Sequence, residues 1–217
     1  MNLNSDFTKR VVVHSDRLPW LPSPIPGVER RMLDRIGDEV ARATTIVRYA
    51  PNSKFSPHVH SGGEEFLVLE GVFQDEHGDY PAGSYIRNPP QSSHTPGSEL
   101  GCIIFVKLWQ FDLADRRQVR ISPDEMSPQV EPHRPGILVT NLFQDGREAV
   151  RIEEWVANLE LTIDTPGGAE LLVLQGSLRS GEDELQTNSW LRIPIDSQIV
   201  AQVGEQGAKV WLKMSNE

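Results

Sequence analysis

An internal repeat constrains the fold of this 217-residue chain more than any other feature. The segment GGEEFLVLEG from Gly62 aligns with GGAELLVLQG from Gly167, an offset of 105 residues. The same offset carries SYIRNPPQS at Ser84 onto SWLRIPIDS at Ser189 without a gap. Further upstream, PGVERRML and PGILVTNL match at an offset of 109. The repeat predicts two copies of one structural unit of about 100 residues each.

Short strand-like runs fill both copies. The segments RATTIVRYA, EEFLVLEG, GCIIFVKLWQF, AELLVLQG and AKVWLKM are rich in β-branched and aromatic residues, and glycine or proline separates them. Many short strands at regular spacing predict an all-β barrel or sandwich. With the repeat, we expect two tandem barrels. We expect a first barrel over residues 1–115, a polar, proline-bearing linker over 116–133 and a second barrel over 134–217.

Composition argues against several classes of function. No apolar run approaches the roughly 20 residues that cross a bilayer, and the N-terminal apolar run is too short for a secretory signal. The single cysteine, Cys102, rules out an intramolecular disulfide and a Cys-rich zinc knuckle. The net charge of −10 argues against a nucleic-acid surface, which needs a basic stripe. We therefore expect a cytoplasmic protein without nucleic-acid or membrane partners.

Two histidines one residue apart suggest a metal site. Residues i and i+2 of a strand lie on the same face, so His58 and His60 both point inward if Val59 points outward. The glycine pair that follows permits a turn that brings a glutamate to the same ion. His94 arrives from a neighbouring strand after a proline stop. Three imidazoles and one carboxylate suit a divalent ion of the Zn, Fe, Mn or Ni group.

The second copy helps to choose between Glu64 and Glu65 as the carboxylate ligand. The four candidate ligands are replaced there by residues that cannot hold a metal, apart from a weakly competent hydroxyl: Ile163, Thr165, Ala169 and Ile199. Glu65 is instead kept, as Glu170. The joint replacement of these four residues indicates that they shared one role, which the second copy has lost. We therefore expect Glu64 to be the ligand, Glu65 to be structural through a backbone hydrogen bond, and the second barrel to be metal-free.

An alternative to a metal site is that His58 and His60 are simply a solvated pair on a strand face. The other histidines and the cysteine also have explanations that need no function. We assign no role to His14, His77 and His133, which lie among charged or loop residues. Cys102 lies in an apolar strand, where a free cysteine is usually a small buried hydrophobe. A redox role for Cys102 would need exposure and a depressed pKa.

The site residues resemble the first motif of the cupin family. That motif runs as G, five residues, HxH, three or four residues, E, six residues, G. This chain supplies His58, His60, Glu64 and Gly71, with Asn52 at the position of the leading glycine. The resemblance implies a β-barrel of the jelly-roll type, and with the repeat we expect two tandem jelly-roll barrels.

The second cupin motif, which runs as G, five residues, PxGxxH, three residues, N, is similar to a later stretch of the chain. Gly83, Pro89 and His94 match it, whereas Gln91 replaces a glycine and Ser98 replaces the asparagine. Over roughly residues 20–112 the chain resembles the cupin domain of ChrR-type anti-sigma factors. That family implies one zinc-type ion held by the matching residues His58, His60, Glu64 and His94. Iron, manganese and nickel are the alternative ions.

The ChrR resemblance implies a sensing or regulatory module in transcription regulation. Its expected partners are a regulatory protein or sigma factor, a small molecule near the ion, and a second copy in a homodimer. The sequence has no HxxxCxxC motif, which marks the helical anti-sigma domain of that family, so sigma binding is not carried over. The alternative is a metal-dependent oxygenase similar to the β-diketone-cleaving cupin dioxygenases. A third possibility is a scaffold in which the metal only stabilises the first barrel.

Overall fold

The computed structural model describes residues 1–38 and 40–216, and they form a nearly all-β structure, which confirms the predicted fold class. Two single-turn 3₁₀ helices cover Ser15–Arg17 and Pro123–Glu125. Among the described residues, no helix is long and apolar enough to cross a membrane. In chain order, the strands are β1 (Asn2–Leu3), β2 (Val11–His14), β3 (Leu21–Pro22), β4 (Val28–Gly37), β5 (Ala41–Tyr49), β6 (Ser53–Lys54), β7 (His58–Val59), β8 (Glu64–Asp75), β9 (Gly78–Pro81), β10 (Tyr85–Asn88), β11 (Ser93–His94), β12 (Gly97–Ser98), β13 (Cys102–Leu108), β14 (Val119–Ile121), β15 (Gln129–Val130), β16 (Ile137–Gln144), β17 (Glu148–Trp155), β18 (Glu160–Thr165), β19 (Ala169–Ser180), β20 (Asp183–Gln186), β21 (Ser189–Ile193) and β22 (Ser197–Ser215).

The first compact unit contains residues 1–5 and 19–126. Its main sheet has the strand order β1-β4-β5-β13-β8-β10-β14, with β3, β6, β9 and β12 attached to this path, and β7 pairs separately with β11. Alternate residues of a strand point to the same face. Phe66 and Val68 of β8 therefore share one buried cluster with Ile104 and Val106 of β13. This cluster is part of the apolar core of the unit.

The second compact unit contains residues 6–18 and the chain from residue 127. Its sheet has the order β15-β16-β17-β22-β19-β21-β2, with β18 paired to β22 and β20 paired to β19. Its buried cluster is apolar, and Leu171, Val173 and Leu191 in it are fully buried. Two antiparallel units of this kind are consistent with the two tandem barrels that the repeat predicts.

The boundaries of the two units differ from the predicted ones at two places. Segment 6–18, expected in the first barrel, belongs to the second unit because β2 pairs with β21 there. The expected linker, 116–133, contains β14, which pairs with β10 of the first unit, and β15, which pairs with β16 of the second. Each segment satisfies backbone N–H and C=O groups at a sheet edge. Local polarity does not reveal such pairings.

The sequence offset of 105 residues is preserved in the strand register. In the first unit His94 lies directly opposite His58, and in the second unit Ile199 lies directly opposite Ile163. The long strands β8 and β19, each of 12 residues, occupy the same place in their sheets. The repeat positions can therefore be compared as structural equivalents.

Candidate metal centre

Three imidazoles converge in the first unit. His58 and His94 face each other across β7 and β11, and His60 follows β7. One ring nitrogen from each imidazole lies within 4.8 Å of the other two. Val59 points away and is 61% exposed, as the alternation of strand faces predicts. The cluster suits a divalent metal ion, because neutral imidazoles are common ligands of such ions.

Loop hydrogen bonds fix the backbone of His60. Its N–H donates to the carbonyl oxygen of Ser92 at 2.9 Å, and its carbonyl oxygen accepts from the N–H of Gln91 at 2.9 Å. Gln91 stands at a motif glycine and has φ of 73°, and Asn52 at the leading glycine has φ of 61°. These positions keep the left-handed backbone that glycine would adopt without strain. The two departures from the motif therefore leave both turns in place.

The glycine pair before β8 is required by close packing. A Cβ atom at Gly62 would overlap the indole of Trp109, and one at Gly63 would overlap the ring of Phe111. Gly63 also has φ of 77°, in the region that favours glycine. Its carbonyl oxygen accepts a hydrogen bond from the N–H of Trp109 at 3.1 Å. This turn brings Glu64 back toward the imidazoles.

Glu64 lies beside two of the three histidines. Its Oε2 is 3.5 Å from Nε2 of His60 and 3.6 Å from Nε2 of His94. The same oxygen accepts a hydrogen bond from Nδ2 of Asn88 at 3.0 Å, and Oδ1 of Asn88 accepts one from Nε2 of Gln118 at 2.7 Å. The structure thus brings together all four residues that the sequence suggested as metal ligands.

Glu65 points to different partners from those of its neighbour Glu64. Its Oε1 accepts a hydrogen bond from the hydroxyl of Tyr85 at 2.6 Å. In the second unit, Oε2 of Glu170 accepts one from Nε1 of Trp190 at 3.2 Å, at the equivalent repeat positions. The structural use of this glutamate in both copies is therefore observed, but through an aromatic side chain where a backbone hydrogen bond was expected.

Two imidazoles are oriented from behind. Nδ1 of His94 donates to Oδ2 of Asp75 at 3.3 Å, and Nδ1 of His58 donates to the carbonyl oxygen of Ser56 at 3.3 Å. Because a carboxylate or a carbonyl only accepts, these contacts put the proton on Nδ1 of each ring. Nε2 of each ring then carries the lone pair that a cation would need.

Burial and nearby charges shift the pKa values of His60 and His94 in opposite directions. Burial lowers the pKa of His60, and the nearby Glu64 charge offsets only part of this effect. Burial also acts to lower the pKa of His94, but the hydrogen bond to Asp75 and the charges of Glu64 and Asp75 outweigh it, so the pKa of His94 is raised. Nε2 of His60 is buried and has no hydrogen-bond partner among the described residues. A bound cation would satisfy this atom, so the donor set fits a metal ion.

Residues 6–18 and 127–216, the described part of the second unit, offer no comparable site. Ile163, Ala169 and Ile199 belong to its apolar buried cluster. Thr165 is buried, and its hydroxyl donates to the carbonyl oxygen of Ser197 at 2.8 Å. In the part of the chain that the structure describes, His58, His60 and His94 form the one group of metal-binding type.

Sequence reasoning missed two polar residues that support the site. Asp75 contacts His94, and Asn88 contacts Glu64. The repeat contained a signal for both, because the second copy has Ser180 and Ile193 at these positions. The second copy therefore lacks the carboxylate of Asp75 and the amide of Asn88 as well as the four ligands.

The comparisons with known proteins agree with this fold. Residues 8–112 match the family described as the ChrR cupin-like domain. No curated protein sequence is significantly similar to the chain. A Nostoc punctiforme protein described as a candidate dioxygenase superposes with a TM-score of 0.80 at 13% identity, over 97% of this chain and 83% of that one.

Two further solved structures share the fold. A cupin 2 conserved barrel domain protein from Leptotrichia buccalis superposes with a TM-score of 0.62 at 12% identity, covering 95% of this chain and 96% of that one. Streptomyces albus HEPD, with 2-hydroxyethylphosphonate and Fe(II) bound, gives a TM-score of 0.69 at 8% identity, over 99% of this chain and 77% of that one. Likeness at these identities shows a common fold and nothing finer.

Proposed function

Because residues 8–112 belong to the ChrR cupin-like domain family within the cupins, we propose that the first unit is a metal-dependent sensing module. In this proposal His58, His60, Glu64 and His94 hold one divalent ion, with zinc as the first candidate and iron, manganese or nickel as alternatives. The observation that carries the proposal is the convergence of three ring nitrogens within 4.8 Å of one another, with Glu64 beside two of them. When bound, such an ion would supply a Lewis acid, and a six-coordinate ion would keep positions free for a ligand, whereas four protein ligands would fill a tetrahedral zinc site.

The side chains around the site differ in their access to solvent. His60 and His94 are buried, whereas His58 is exposed. A small molecule can therefore approach the site from the side of His58. The proposed output is a changed contact with a regulatory protein, for which a sigma factor is one candidate.

Metal analysis of the purified protein tests this proposal. We expect about one ion per chain, measured by elemental analysis after dialysis, and a loss of that ion in His94→Ala. His133→Ala is the matched control, because His133 is an exposed histidine in the second unit. A wild-type protein that binds no divalent ion, or a His94→Ala variant that binds as tightly as wild type, would contradict the proposal.

A metal-dependent oxygenase is the second candidate. The exposed side of the site favours it, because a substrate could reach an ion held there. Four protein donors also leave two positions free on an octahedral ion. The test is oxygen uptake by iron-loaded protein with small β-diketones. Uptake that is lost in His94→Ala would support this candidate, and no uptake by the loaded protein would remove it.

A further inference from the structure

The turn between β8 and β9 holds the strand that carries His94. Oδ2 of Asp75 is 3.3 Å from Nδ1 of His94, on the side of the ring opposite Glu64. The next residue, Glu76, accepts a hydrogen bond from the N–H of Thr95 at 2.7 Å. One turn thus contacts two consecutive residues, His94 and Thr95, and of its two carboxylates only that of Asp75 hydrogen-bonds to the imidazole.

The carboxylate of Asp75 is fixed in place. Its side chain is 2% exposed. Oδ1 accepts hydrogen bonds from the hydroxyl of Tyr80 at 3.2 Å and from the N–H of His77 at 2.8 Å. Because Oδ1 is occupied in this way, Oδ2 is left to accept from Nδ1 of His94. A carboxylate in this position fixes the imidazole tautomer and makes the opposite nitrogen a better donor to a cation.

The second copy shows that the hairpin forms without the carboxylate of Asp75. In the second copy Ser180 replaces Asp75 and Leu185 replaces Tyr80. The hairpin is nevertheless kept, since Ser180 pairs with Asp183 as Asp75 pairs with Gly78. The carboxylate and its tyrosine partner are therefore missing from the copy that has no ligands, although the pairing of the two strands is kept.

We propose that Asp75 is a positioning residue of the metal centre, which orients His94 and strengthens its Nε2 as a ligand. The inference rests on the proposed function, because it assumes that His94 binds a divalent ion. It adds that the affinity of the site depends on a residue that does not touch the ion.

Competitive metal titration of the full chain tests this inference. Zn²⁺ is titrated against a chromophoric chelator, and Co²⁺ is used to record the visible spectrum of the site. We expect Asp75→Asn to weaken binding by about 10-fold to 100-fold and to change the Co²⁺ spectrum. Glu76→Gln is the matched control, since it removes a charge from the same turn without touching the imidazole. Its affinity should stay close to that of wild type.

The possible results separate this inference from the proposed function. Wild-type affinity in Asp75→Asn, with binding lost in His94→Ala, overturns the role of Asp75 and leaves the proposed function standing. An equal loss in Glu76→Gln also overturns it, because the effect would then belong to the charge of the turn. If the wild type binds neither ion, both ideas fail. If metal-free Asp75→Asn does not fold, Tyr80→Phe decides: weaker binding supports the inference and unchanged binding overturns it.

Discussion

Replacing His60 with leucine should stabilise the protein in the absence of metal. Nε2 of His60 is buried without a hydrogen-bond partner among the described residues. An unsatisfied buried polar atom costs about 1–3 kcal/mol. Leucine is similar in size to histidine, so it leaves little empty volume. Glu64 keeps its hydrogen bond from Asn88 at 3.0 Å in the variant. We therefore expect His60→Leu to gain about 1–3 kcal/mol in the free energy of unfolding when metal is removed.

Metal should reverse this order of stability. A ligand that binds only the folded state contributes about 4.1 kcal/mol at a concentration a thousand times its Kd. Wild-type protein should receive this contribution and His60→Leu should not. The wild type then becomes the more stable protein by about 1–3 kcal/mol, the difference between the gain from metal and the cost of the unpaired atom.

Urea unfolding followed by tryptophan fluorescence measures both orders, once with a chelator and once with saturating metal. His133→Leu serves as the control for metal binding outside the site, because His133 is exposed. The reasoning is refuted if His60→Leu is the less stable protein in the presence of chelator. It is also refuted if metal stabilises His60→Leu as much as wild type.

Three further outcomes are expected. Glu64→Gln should weaken metal binding in a titration. Glu65→Gln should leave metal binding unchanged but lower the free energy of unfolding by about 1.5–3 kcal/mol, because the hydroxyl of Tyr85 loses a charged acceptor. The reverse pattern would contradict the assignment of the two glutamates. Burial raises the pKa of Cys102 to about 11. At pH 8 only about one thiol in a thousand is then ionised, so mass spectrometry should find Cys102 unmodified by iodoacetamide until the protein is unfolded, and rapid labelling of native protein would argue against this. Gly63→Ala should destabilise the first unit by at least roughly 1–2 kcal/mol in thermal unfolding, because of the positive φ of 77°, and a melting curve like that of wild type would show that the turn can relax.

Much of the site was predictable because the chain carries its own comparison. Loss of His58, His60, Glu64 and His94 together in one copy identified them as a set. Strand alternation placed His58 and His60 on one face on the condition that Val59 points outward, and Val59 is 61% exposed. The repeat also predicted the two antiparallel units. These inferences depend on strand periodicity and on the equivalence of repeat positions. Both can be found in the sequence without knowing which distant residues are in contact.

Other features depend on contacts that local sequence does not specify. The run VVVH of β2 signals a strand, but nothing in it shows that the strand joins β21 rather than a nearer edge. Asp75 stands close to a turn tip, where aspartate is common for reasons of backbone hydrogen bonding alone. Only its distance to His94 gives it a further role.

Because β2 pairs with β21, the second folded unit is built from two separate segments of the sequence, residues 6–18 and the chain from residue 127. A fragment that starts at residue 127 lacks Val11–His14 and leaves one side of Ser189–Ile193 open. Open strand edges pair readily with other molecules, so such a fragment should precipitate or oligomerise. Anyone dividing this protein must therefore graft residues 6–18 onto the C-terminal piece, by circular permutation or by supplying them as a peptide. No single cut releases both halves intact.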